Sequence, residues 1–293
     1  MGTMNTDRLT EKLVPAIRDS VTSLPQPTAD ALRSAKESAD GGAAVQLEAM
    51  LEATDIGERE ATPICQDTGV PTFFVEIGRS SPYVEDIGEL ESVFTNAVRR
   101  ASEEVPLRPN TVHPLTHDNP GDNTGRHVPY IDYHMADGED ITIHYLPKGG
   151  GSENMAQLTM MTPGRGIEGV KELVLERVAS MEGKPCPPTV LGIGIGGGAN
   201  IAMNLAKESI LRPVGERHEE PEIAELEEEL TEKANALEVG PMGVGGQPTV
   251  LDVKIEYAHR HPASFPVGII PQCWCNRRAA VSIDPDGSVE VIE

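Results

Sequence analysis

Positive charge is scarce in this chain. Its 293 residues include 24 Lys and Arg against 47 Asp and Glu, which gives a formal net charge of -23. A surface this acidic repels nucleic acid and anionic lipid, so the sequence argues against partners of both kinds. Aromatic residues make up only 3% of the chain, and Arg outnumbers Lys. This combination is typical of proteins from a salt-rich cytoplasm, and we expect a halophilic protein; an ordinary acidic soluble protein is the alternative.

Long apolar runs are also missing. No stretch of about 18 consecutive apolar residues occurs, so the sequence contains no candidate transmembrane helix. The N-terminal segment MGTMNTDRLTEKLVPAIRDSV carries charges throughout and lacks the apolar core of a secretory signal. We therefore expect a cytoplasmic protein that does not bind membranes.

Cysteine is rare, and the four residues present are Cys65, Cys186, Cys273 and Cys275. In a large cytosolic chain, buried, catalytic or metal-bound thiols are expected rather than a disulfide framework. Structural zinc sites use close pairs such as C-x-x-C, whereas here only the C-x-C at 273–275 is closely spaced. No cysteine has surroundings typical of a protease nucleophile. Three dispersed thiolates that converge on an iron-sulfur cluster fit this spacing better.

Hydrophobic periodicity and glycine and proline placement predict an α/β fold, with mixed sheet segments, flanking helices and an N-terminal helical region. Helices are predicted over about residues 6–58, and a strand over 72–77. The alternating segments YIDYHM and ITIHYL predict a β-hairpin. The polar stretch at 106–129 predicts a functional or disordered loop. No obvious linker divides the chain, and we treat residues 1–293 as one catalytic region.

The glycine-rich segment GIGIGGG lies between a predicted strand and a predicted helix. It matches the dinucleotide-binding pattern G-x-G-x-x-G through Gly192, Gly194 and Gly197. No acidic residue ends a second strand about 20 residues later, so a nucleotide site is the weaker interpretation. Glycines that let backbone amides approach an anionic ligand or an inorganic centre are the preferred one.

Two pairs of basic residues lie near the two ends of the segment ASFPVGIIPQCWCNRRA. His259 and His261 follow a strong strand signal and are interpreted either as site residues or as partly exposed strand histidines. Arg277 and Arg278 follow the last cysteine. They would attract a dicarboxylate if they lined a site, but a position on the surface is the default expectation.

Five motifs occur in order along the chain: ICQDTG, GDNTG, KGGGSENM, CPPTVLGIGIGG and ASFPVGIIPQCW followed by RRA. Together they resemble the N-terminal domain or α subunit of class I fumarate hydratase and L(+)-tartrate dehydratase, over nearly the whole chain. The resemblance implies an iron-dependent hydro-lyase with an oxygen-sensitive four-iron four-sulfur cluster, whose ligands match Cys65, Cys186 and Cys273. Cys275 and Asn276 depart from the family, which more often has a non-cysteine and an acid there. Cys275 is therefore expected to be a packed or redox-sensitive bystander.

The same resemblance implies roles for polar residues around the cysteines. It gives substrate contacts to Gln66, Arg108 and Gly150, and catalytic roles to Asp67 and His261, which would orient or protonate the leaving hydroxyl. An open iron would act as a Lewis acid on malate, while Arg and backbone amides hold its carboxylates. The implied reaction is the reversible hydration of fumarate to (S)-malate in the tricarboxylic acid cycle. Dehydration of L(+)-tartrate is the alternative.

Single-chain members of this family continue into a second domain that completes the active site, whereas this sequence ends at Glu293. The resemblance therefore implies an α subunit that needs a separate β subunit, in a heterotetramer of two α and two β chains. Two interpretations from other classes remain. One is a noncatalytic iron-sulfur protein that senses redox state through Cys275, and the other is a nucleotide-binding oxidoreductase.

Overall fold

The computed structural model describes residues 4–293 and divides them into two compact units. The first unit contains residues 4–25, 54–148 and 277–293, and the second contains residues 26–53 and 149–276. Helices and two mixed sheets build these units, so the predicted α/β class is confirmed. Within residues 4–293, none of the helices combines the length and apolar character needed to cross a membrane.

Helices and strands alternate through most of the chain. The helices are α1 (Thr6–Thr22), α2 (Gln26–Ser38), α3 (Gly41–Glu60), α4 (Leu90–Glu104), α5 (Gly150–Glu153), α6 (Gly166–Met181), α7 (Ala199–Ser209) and α8 (Pro221–Asn235). The strands are β1 (Val70–Gly78), β2 (Tyr130–Ala136), β3 (Ile141–Lys148), β4 (Gln157–Met161), β5 (Thr189–Gly196), β6 (Val250–Ala258), β7 (Phe265–Gln272), β8 (Ala279–Ile283) and β9 (Val289–Val291).

The N-terminal helices follow the hydrophobic spacing of the sequence. Leu9, Leu13 and Ile17 recur every four residues and are at most 1% exposed, so they form the buried face of α1. The side chain of Asn5 accepts a hydrogen bond from the backbone N–H of Arg8 at 3.0 Å and begins the helix. Helices α1 to α3 together extend from residue 6 to residue 60, close to the predicted helical region.

A five-stranded sheet in the order β2-β1-β3-β8-β9 forms the first unit. β1 is parallel to β2 and antiparallel to β3, and the remaining pairs are antiparallel. Apolar residues of α1 and α4 form one core with this sheet. Phe73 of β1 stacks on Phe94 of α4 with ring centroids 4.3 Å apart. This packing fixes the start of β1, where the first cysteine loop ends.

The predicted β-hairpin is wrong, because β2 and β3 do not pair with each other. β1 lies between them, and its Phe74 is opposite Asp132 of β2 and His144 of β3. β1 is buried along nearly its whole length and pairs on both sides, whereas β2 is largely exposed and forms a sheet edge. The connection at 137–140 crosses the end of β1, where the backbone N–H of Gly78 donates to the Asp140 carbonyl at 2.8 Å.

The second unit is built on a four-stranded sheet in the order β4-β7-β5-β6. β5 is antiparallel to β7 and parallel to β6. Successive residues of a strand point to opposite faces, and β5 uses the two faces differently. Leu191 and Ile193 belong to the apolar core formed with α6 and α8. Gly192 and Gly194 instead face α7, which packs on the opposite side.

Side chains of α8 occupy backbone donors of β6, the edge strand of this sheet. Glu227 Oε1 accepts a hydrogen bond from the N–H of Ile255 at 2.8 Å, and Thr231 Oγ1 accepts one from Val253 at 3.2 Å. Asn235 Oδ1 accepts one from the first residue of β6 at 2.9 Å. A spacing of four residues places the three acceptors on one face of the helix. α8 therefore covers the edge of the sheet.

Candidate active site

In the first unit, Cys65 lies in the loop that leads from α3 into β1. The backbone N–H of Ile64 donates to a carbonyl in the last turn of α1 at 2.9 Å, which holds the loop just before the cysteine. Cys65 is half-buried, and the following Gln66 is exposed. Asp67 Oδ1 accepts a hydrogen bond from the N–H of Gly69 at 3.0 Å. The carboxylate thus closes a turn within the CQDTG motif and fixes its own orientation.

Gly69 ends this loop in a conformation that suits glycine. Its φ is +84°, and a Cβ at this position would lie 2.5 Å from the carbonyl carbon of Pro147. A side chain at residue 69 would therefore collide with the backbone of β3. The glycine of the CQDTG motif allows the loop to lie directly against the end of the sheet.

The loop after α4 brings Arg108 to the CQDTG motif. The backbone N–H of Arg108 donates to Thr68 Oγ1 at 3.0 Å, and the Asn110 carboxamide contacts the same oxygen at 3.2 Å. Thr68 is buried, whereas Arg108 is exposed. The structure therefore places the Arg108 backbone beside Thr68, the residue that follows Asp67. Thr68 and Asn110 were not predicted; their only signals in the sequence are that Thr68 lies inside the CQDTG motif and that Asn110 follows Arg108 by two residues.

The GDNTG segment links the loop that carries Arg108 to helix α4 through hydrogen bonds. Asn123 is 3% exposed; its Oδ1 accepts from the N–H of Asn110 at 2.7 Å, and its Nδ2 donates to Ser102 of α4 at 3.0 Å. Burial opposes ionisation of Asp122, but hydrogen bonds from Thr124 and from an arginine of α4 outweigh it and lower the pKa of this carboxyl. Part of the predicted polar loop is therefore anchored to α4 and positions the segment that carries Arg108.

In the second unit, strand pairing brings Cys186 and Cys273 together although they are far apart in sequence. Cys186 lies just before β5 and Cys273 directly after β7. These strands are antiparallel, with Val190 opposite Gln272, so the start of β5 lies beside the end of β7. The backbone N–H of Trp274 donates to the Cys186 carbonyl at 3.1 Å. Both cysteines are half-buried.

The segment around Cys186 is held in an unusual conformation. Its φ is +56°, a left-handed value that non-glycine residues adopt rarely and that is found mostly where surrounding structure imposes it. The N–H of Cys186 donates to the Gly183 carbonyl at 3.1 Å, and the N–H of Met242 donates to the Pro187 carbonyl at 2.8 Å. The GPMGVGG turn, which contains Met242, thus supports the cysteine loop.

Gly150 lies at the same end of the second sheet. It begins the short helix α5, whose Glu153 forms a 2.7 Å ion pair with Lys207 of α7. A Cβ on the neighbouring Gly151 would lie 3.7 Å from the Lys184 carbonyl, two residues before Cys186. The KGGG motif and the two cysteine loops therefore meet in one region of the second unit.

His261 does not lie with these cysteines. It follows β6, whose last residue, Ala258, is opposite Gly196 at the end of β5, whereas Cys186 precedes the start of β5. The eight residues of β5 separate the two ends of the strand, a span of about 26 Å at about 3.3 Å per residue. His261 is exposed, and its Nδ1 accepts a hydrogen bond from the N–H of Ala263 at 3.1 Å. A contact of His261 at the cysteine end is not supported, because the β6–β7 connection lies at the far end of the sheet.

The GIGIGGG segment packs against a helix. A Cβ at Gly192 would lie 2.0 Å from the Ala206 carbonyl oxygen, and one at Gly194 would lie 1.9 Å from that of Ala202. These glycines allow α7 to pack directly on β5, which is a structural use of the motif. Gly197, with a φ of +62°, forms the turn that follows. The expectation that Gly192 and Gly194 bring the backbone close to a ligand is therefore wrong.

Two buried carboxamides flank the Cys-Trp-Cys segment. Gln272 and Asn276 are both 0% exposed, and neither the oxygen nor the nitrogen of either side-chain amide has a hydrogen-bond partner within the described chain. A buried polar group without a partner costs about 1–3 kcal/mol. Between them, Cys273 Sγ lies 3.7 Å from the carbonyl oxygen of Cys275, whose side chain is only 1% exposed.

Arg277 and Arg278 are not on the surface, contrary to expectation. They are 1% and 3% exposed, and both belong to the first unit. Arg278 forms two hydrogen bonds with the side-chain carboxylate of Glu293, at 2.6 and 2.5 Å. This bidentate pair compensates the burial of its charge and gives Arg278 a structural role.

The cysteines fit an iron-sulfur cluster in their chemistry and accessibility. All four lie in the described part of the chain, and none forms a disulfide. Cys65, Cys186 and Cys273 are half-buried, while Cys275 is buried. Within residues 4–293, no three His, Cys, Asp or Glu side chains are placed to hold a single metal ion. Thiolates that bind different irons of one cluster do not need to surround a single ion.

Sequence comparison agrees with these motifs. A family model described as "Fumarate hydratase (Fumerase)" matches residues 10–282. This chain belongs to the fumarate hydratase family. Members of this family are hydro-lyases, so the predicted family and enzyme class are confirmed.

Relatives within the fumarate hydratase family carry two kinds of name. "Putative L(+)-tartrate dehydratase subunit alpha" of Methanocaldococcus jannaschii is 46% identical over 286 residues, which cover 96% of this chain and 100% of that protein. "L(+)-tartrate dehydratase subunit alpha" of Escherichia coli strain K12 is 38% identical over 229 residues, 78% of this chain and 75% of that protein. "Putative fumarate hydratase class I" of Geobacillus stearothermophilus is 33% identical over 291 residues, 96% of this chain but only 56% of that longer protein.

Proposed function

We propose that this chain is the α subunit of a two-component iron-sulfur hydro-lyase that interconverts fumarate and (S)-malate. Family membership and the meeting of Cys186, Cys273 and the Gly150 turn at one end of the second sheet support this proposal. The positioning of Arg108 beside the CQDTG motif in the first unit supports it further. Fumarate as the substrate would place the enzyme in the tricarboxylic acid cycle.

Cys65, Cys186 and Cys273 would hold a four-iron four-sulfur cluster. When bound, such a cluster supplies a Lewis-acidic iron that polarises the hydroxyl of malate. Cys275 is not included, because its side chain is buried while the other three thiols are half-buried.

The remaining groups of the chain bind the substrate and move a proton. The Arg108 guanidinium is exposed and would pair with a substrate carboxylate through two parallel hydrogen bonds. Gln66 and the backbone N–H of Gly150 would fix the orientation of the dicarboxylate. In dehydration, Asp67 would orient or protonate the departing hydroxyl, which leaves as water, and a base on the partner subunit would take the proton from the adjacent carbon as the double bond forms. The catalytic role that the resemblance gives His261 stays a prediction; within the second unit this residue lies at the other end of the sheet from Cys186 and Cys273.

A separate β subunit would complete the active site. Two relatives are named as alpha subunits, and the chain spans only 56% of the Geobacillus stearothermophilus protein. A heterotetramer of two α and two β chains is the assembly we propose. Analytical ultracentrifugation of the co-expressed pair would test this stoichiometry, and full activity of the α chain alone would contradict the need for a partner.

L(+)-tartrate is the second candidate substrate, because the Methanocaldococcus jannaschii and Escherichia coli relatives are named as tartrate dehydratase subunits. The values of kcat/KM for (S)-malate, fumarate, mesaconate and L(+)-tartrate, measured with the reconstituted pair, would separate the two activities. A higher value for tartrate than for malate would reassign the substrate and leave the hydro-lyase chemistry in place.

Iron content is the direct test of the proposed cofactor. We expect about four iron and about four acid-labile sulfide per chain after anaerobic purification. Cys273→Ala should lose the cluster, and Cys275→Ala is the matched control that should keep it. Absence of iron after anaerobic reconstitution of the wild type would refute the cofactor assignment.

The two interpretations from other classes are less well supported. A redox sensor that works through Cys275 needs access of an oxidant to that thiol, which is only 1% exposed. A nucleotide site needs backbone close to the ligand at the glycines, but Gly192 and Gly194 pack against α7. NAD should therefore leave the melting temperature of the chain unchanged.

A further inference from the structure

We propose that Gln272 and Asn276 are positioning residues whose side-chain N–H groups donate hydrogen bonds to sulfur atoms of the iron-sulfur centre. This inference rests on the proposed cofactor and adds two residues to it. It assigns them the electrostatic tuning of the centre, not ligation.

The first support is the state of the two carboxamides in the described chain. Both residues are 0% exposed, and all four of their side-chain polar atoms are buried without a hydrogen-bond partner. Buried amides in folded proteins nearly always have partners, so two such groups around one short segment indicate a partner outside the protein atoms. Asn123, a buried carboxamide with a supporting role, differs in that both ends of its amide are hydrogen-bonded.

The second support is the environment of the Cys273 sulfur. Its Sγ lies 3.7 Å from the carbonyl oxygen of Cys275, which belongs to the peptide group that joins Cys275 to Asn276. A thiol donates a hydrogen bond to this oxygen, but a thiolate has no proton to donate and is repelled by the carbonyl dipole. Ligation therefore creates a need for N–H donors at this place.

The backbone N–H of Asn276 does not meet this need, because it already donates to the Trp274 carbonyl at 2.9 Å. The side-chain Nδ2 of the same residue is a buried donor without a partner. Gln272 provides a second such donor from the residue immediately before Cys273. Each donor belongs to a residue at one end of the 273–275 segment, and hydrogen bonds to cluster sulfurs raise the reduction potential of iron-sulfur centres.

The test uses the full chain purified anaerobically with its cluster, and it compares four variants with the wild type. Gln272→Leu and Asn276→Leu remove the donors. Asn276→Asp replaces the donor by an anion of the same shape. Asn200→Asp is the matched control, because Asn200 is exposed in the first turn of α7, which follows the end of β5 opposite the cysteines.

The readouts are iron and sulfide content, the midpoint potential of the cluster and the rate of cluster loss in air. We expect near-normal loading, faster loss in air and a more negative potential in the three test variants. For Asn276→Asp the expected shift is about tenfold in the ratio of reduced to oxidised cluster at fixed potential, which is about 59 mV for a one-electron couple. Asn200→Asp should match the wild type.

A second measurement separates tuning from a structural role. In the cluster-free chain, the two Leu variants should unfold at the same urea concentration as the wild type or at a higher one, because no hydrogen bond is lost. A marked loss of stability there would show that the amides stabilise the fold and would overturn the inference. Normal potentials and normal cluster loss in all three loaded test variants would also overturn it while leaving the proposed function intact. A wild type that binds no cluster would refute both.

Discussion

Replacement of Thr68 by Val tests how the chain positions Arg108. Thr68 Oγ1 accepts a hydrogen bond from the backbone N–H of Arg108 at 3.0 Å and contacts the Asn110 carboxamide at 3.2 Å. Valine has nearly the same shape as threonine, so the substitution removes the hydroxyl without creating a cavity. It therefore removes the bonds from Thr68 to the Arg108 segment with little change in packing, while the contact of Asn110 with the Gly69 carbonyl remains.

The expected cost follows from these two contacts. An ordinary hydrogen bond contributes about 0.5–1.5 kcal/mol, and a buried donor left without a partner costs about 1–3 kcal/mol. Thr68 is 3% exposed, but the bond to Arg108 is only partly buried, so water replaces some of what is lost. We expect the free energy of unfolding to fall by about 1–2 kcal/mol. A similar loss in substrate binding would raise the KM for malate of the reconstituted enzyme about tenfold, since 1.4 kcal/mol corresponds to a factor of ten.

Hydrogen exchange gives a readout that does not depend on the proposed activity. The backbone N–H of Arg108 should exchange faster in Thr68→Val than in the wild type, while Thr68→Ser, which keeps the hydroxyl, should preserve its protection. Urea unfolding of both variants and KM with the β partner complete the comparison. If Thr68→Val and Thr68→Ser have equal Arg108 exchange rates and equal KM, then Thr68 does not position Arg108 and our reasoning about this loop is wrong.

Three further substitutions test the packing, the charge and the sheet edge. Gly194→Ala places a Cβ 1.9 Å from a backbone oxygen of α7; we expect urea unfolding to show a loss of about 3 kcal/mol or more, whereas Gly164→Ala, where an added Cβ meets nothing within 4 Å, should be near neutral. Burial lowers the pKa of His144 below its ordinary 6.5, so the unfolded chain binds the proton more tightly than the folded chain. The free energy of unfolding should therefore fall as the pH drops through 6.5 and level off below the pKa of the folded state. In His144→Gln this part of the pH dependence should disappear, and an unchanged profile would contradict the assignment. Asn235→Leu leaves the first N–H of β6 without its acceptor, which should cost about 1–3 kcal/mol in urea unfolding and speed exchange at that residue; unchanged exchange would show that α8 does not hold this edge.

Local sequence features anticipated those parts of the molecule that are decided locally. The four-residue recurrence of Leu9, Leu13 and Ile17 predicted α1, because one helix face has that period. The family resemblance also pointed to Asp67 of the CQDTG motif and to Arg108, whose backbone N–H donates to the neighbouring Thr68. The hydrogen bond from the Arg108 N–H to Thr68 holds these two segments together, and hydrophobic periodicity in the sequence does not predict it.

Strand pairing and contacts between distant segments could not be predicted from local sequence patterns. The alternation in YIDYHM and ITIHYL identified two strands correctly but could not show that β1 enters between them. The direction of β6 within the sheet places His261 at the opposite end from Cys186 and Cys273, and no local pattern in the sequence indicates that direction. The burial of Arg278 depends on the carboxylate of Glu293, a partner 15 residues further along the chain that no local pattern indicates.

The acidic helix α8 has a consequence for assembly. An uncovered edge strand accepts strands from other molecules, which leads both to specific complexes and to aggregation. Along β6 the competing acceptors are already present in the same chain, because Glu227, Thr231 and Asn235 take the places that a neighbour's carbonyl oxygens would occupy. Another molecule can extend the sheet here only after α8 has been displaced. The acidic helix α8 therefore does more than add negative charge to the surface. Its polar side chains keep this edge of the sheet closed to other copies of the protein and to other chains.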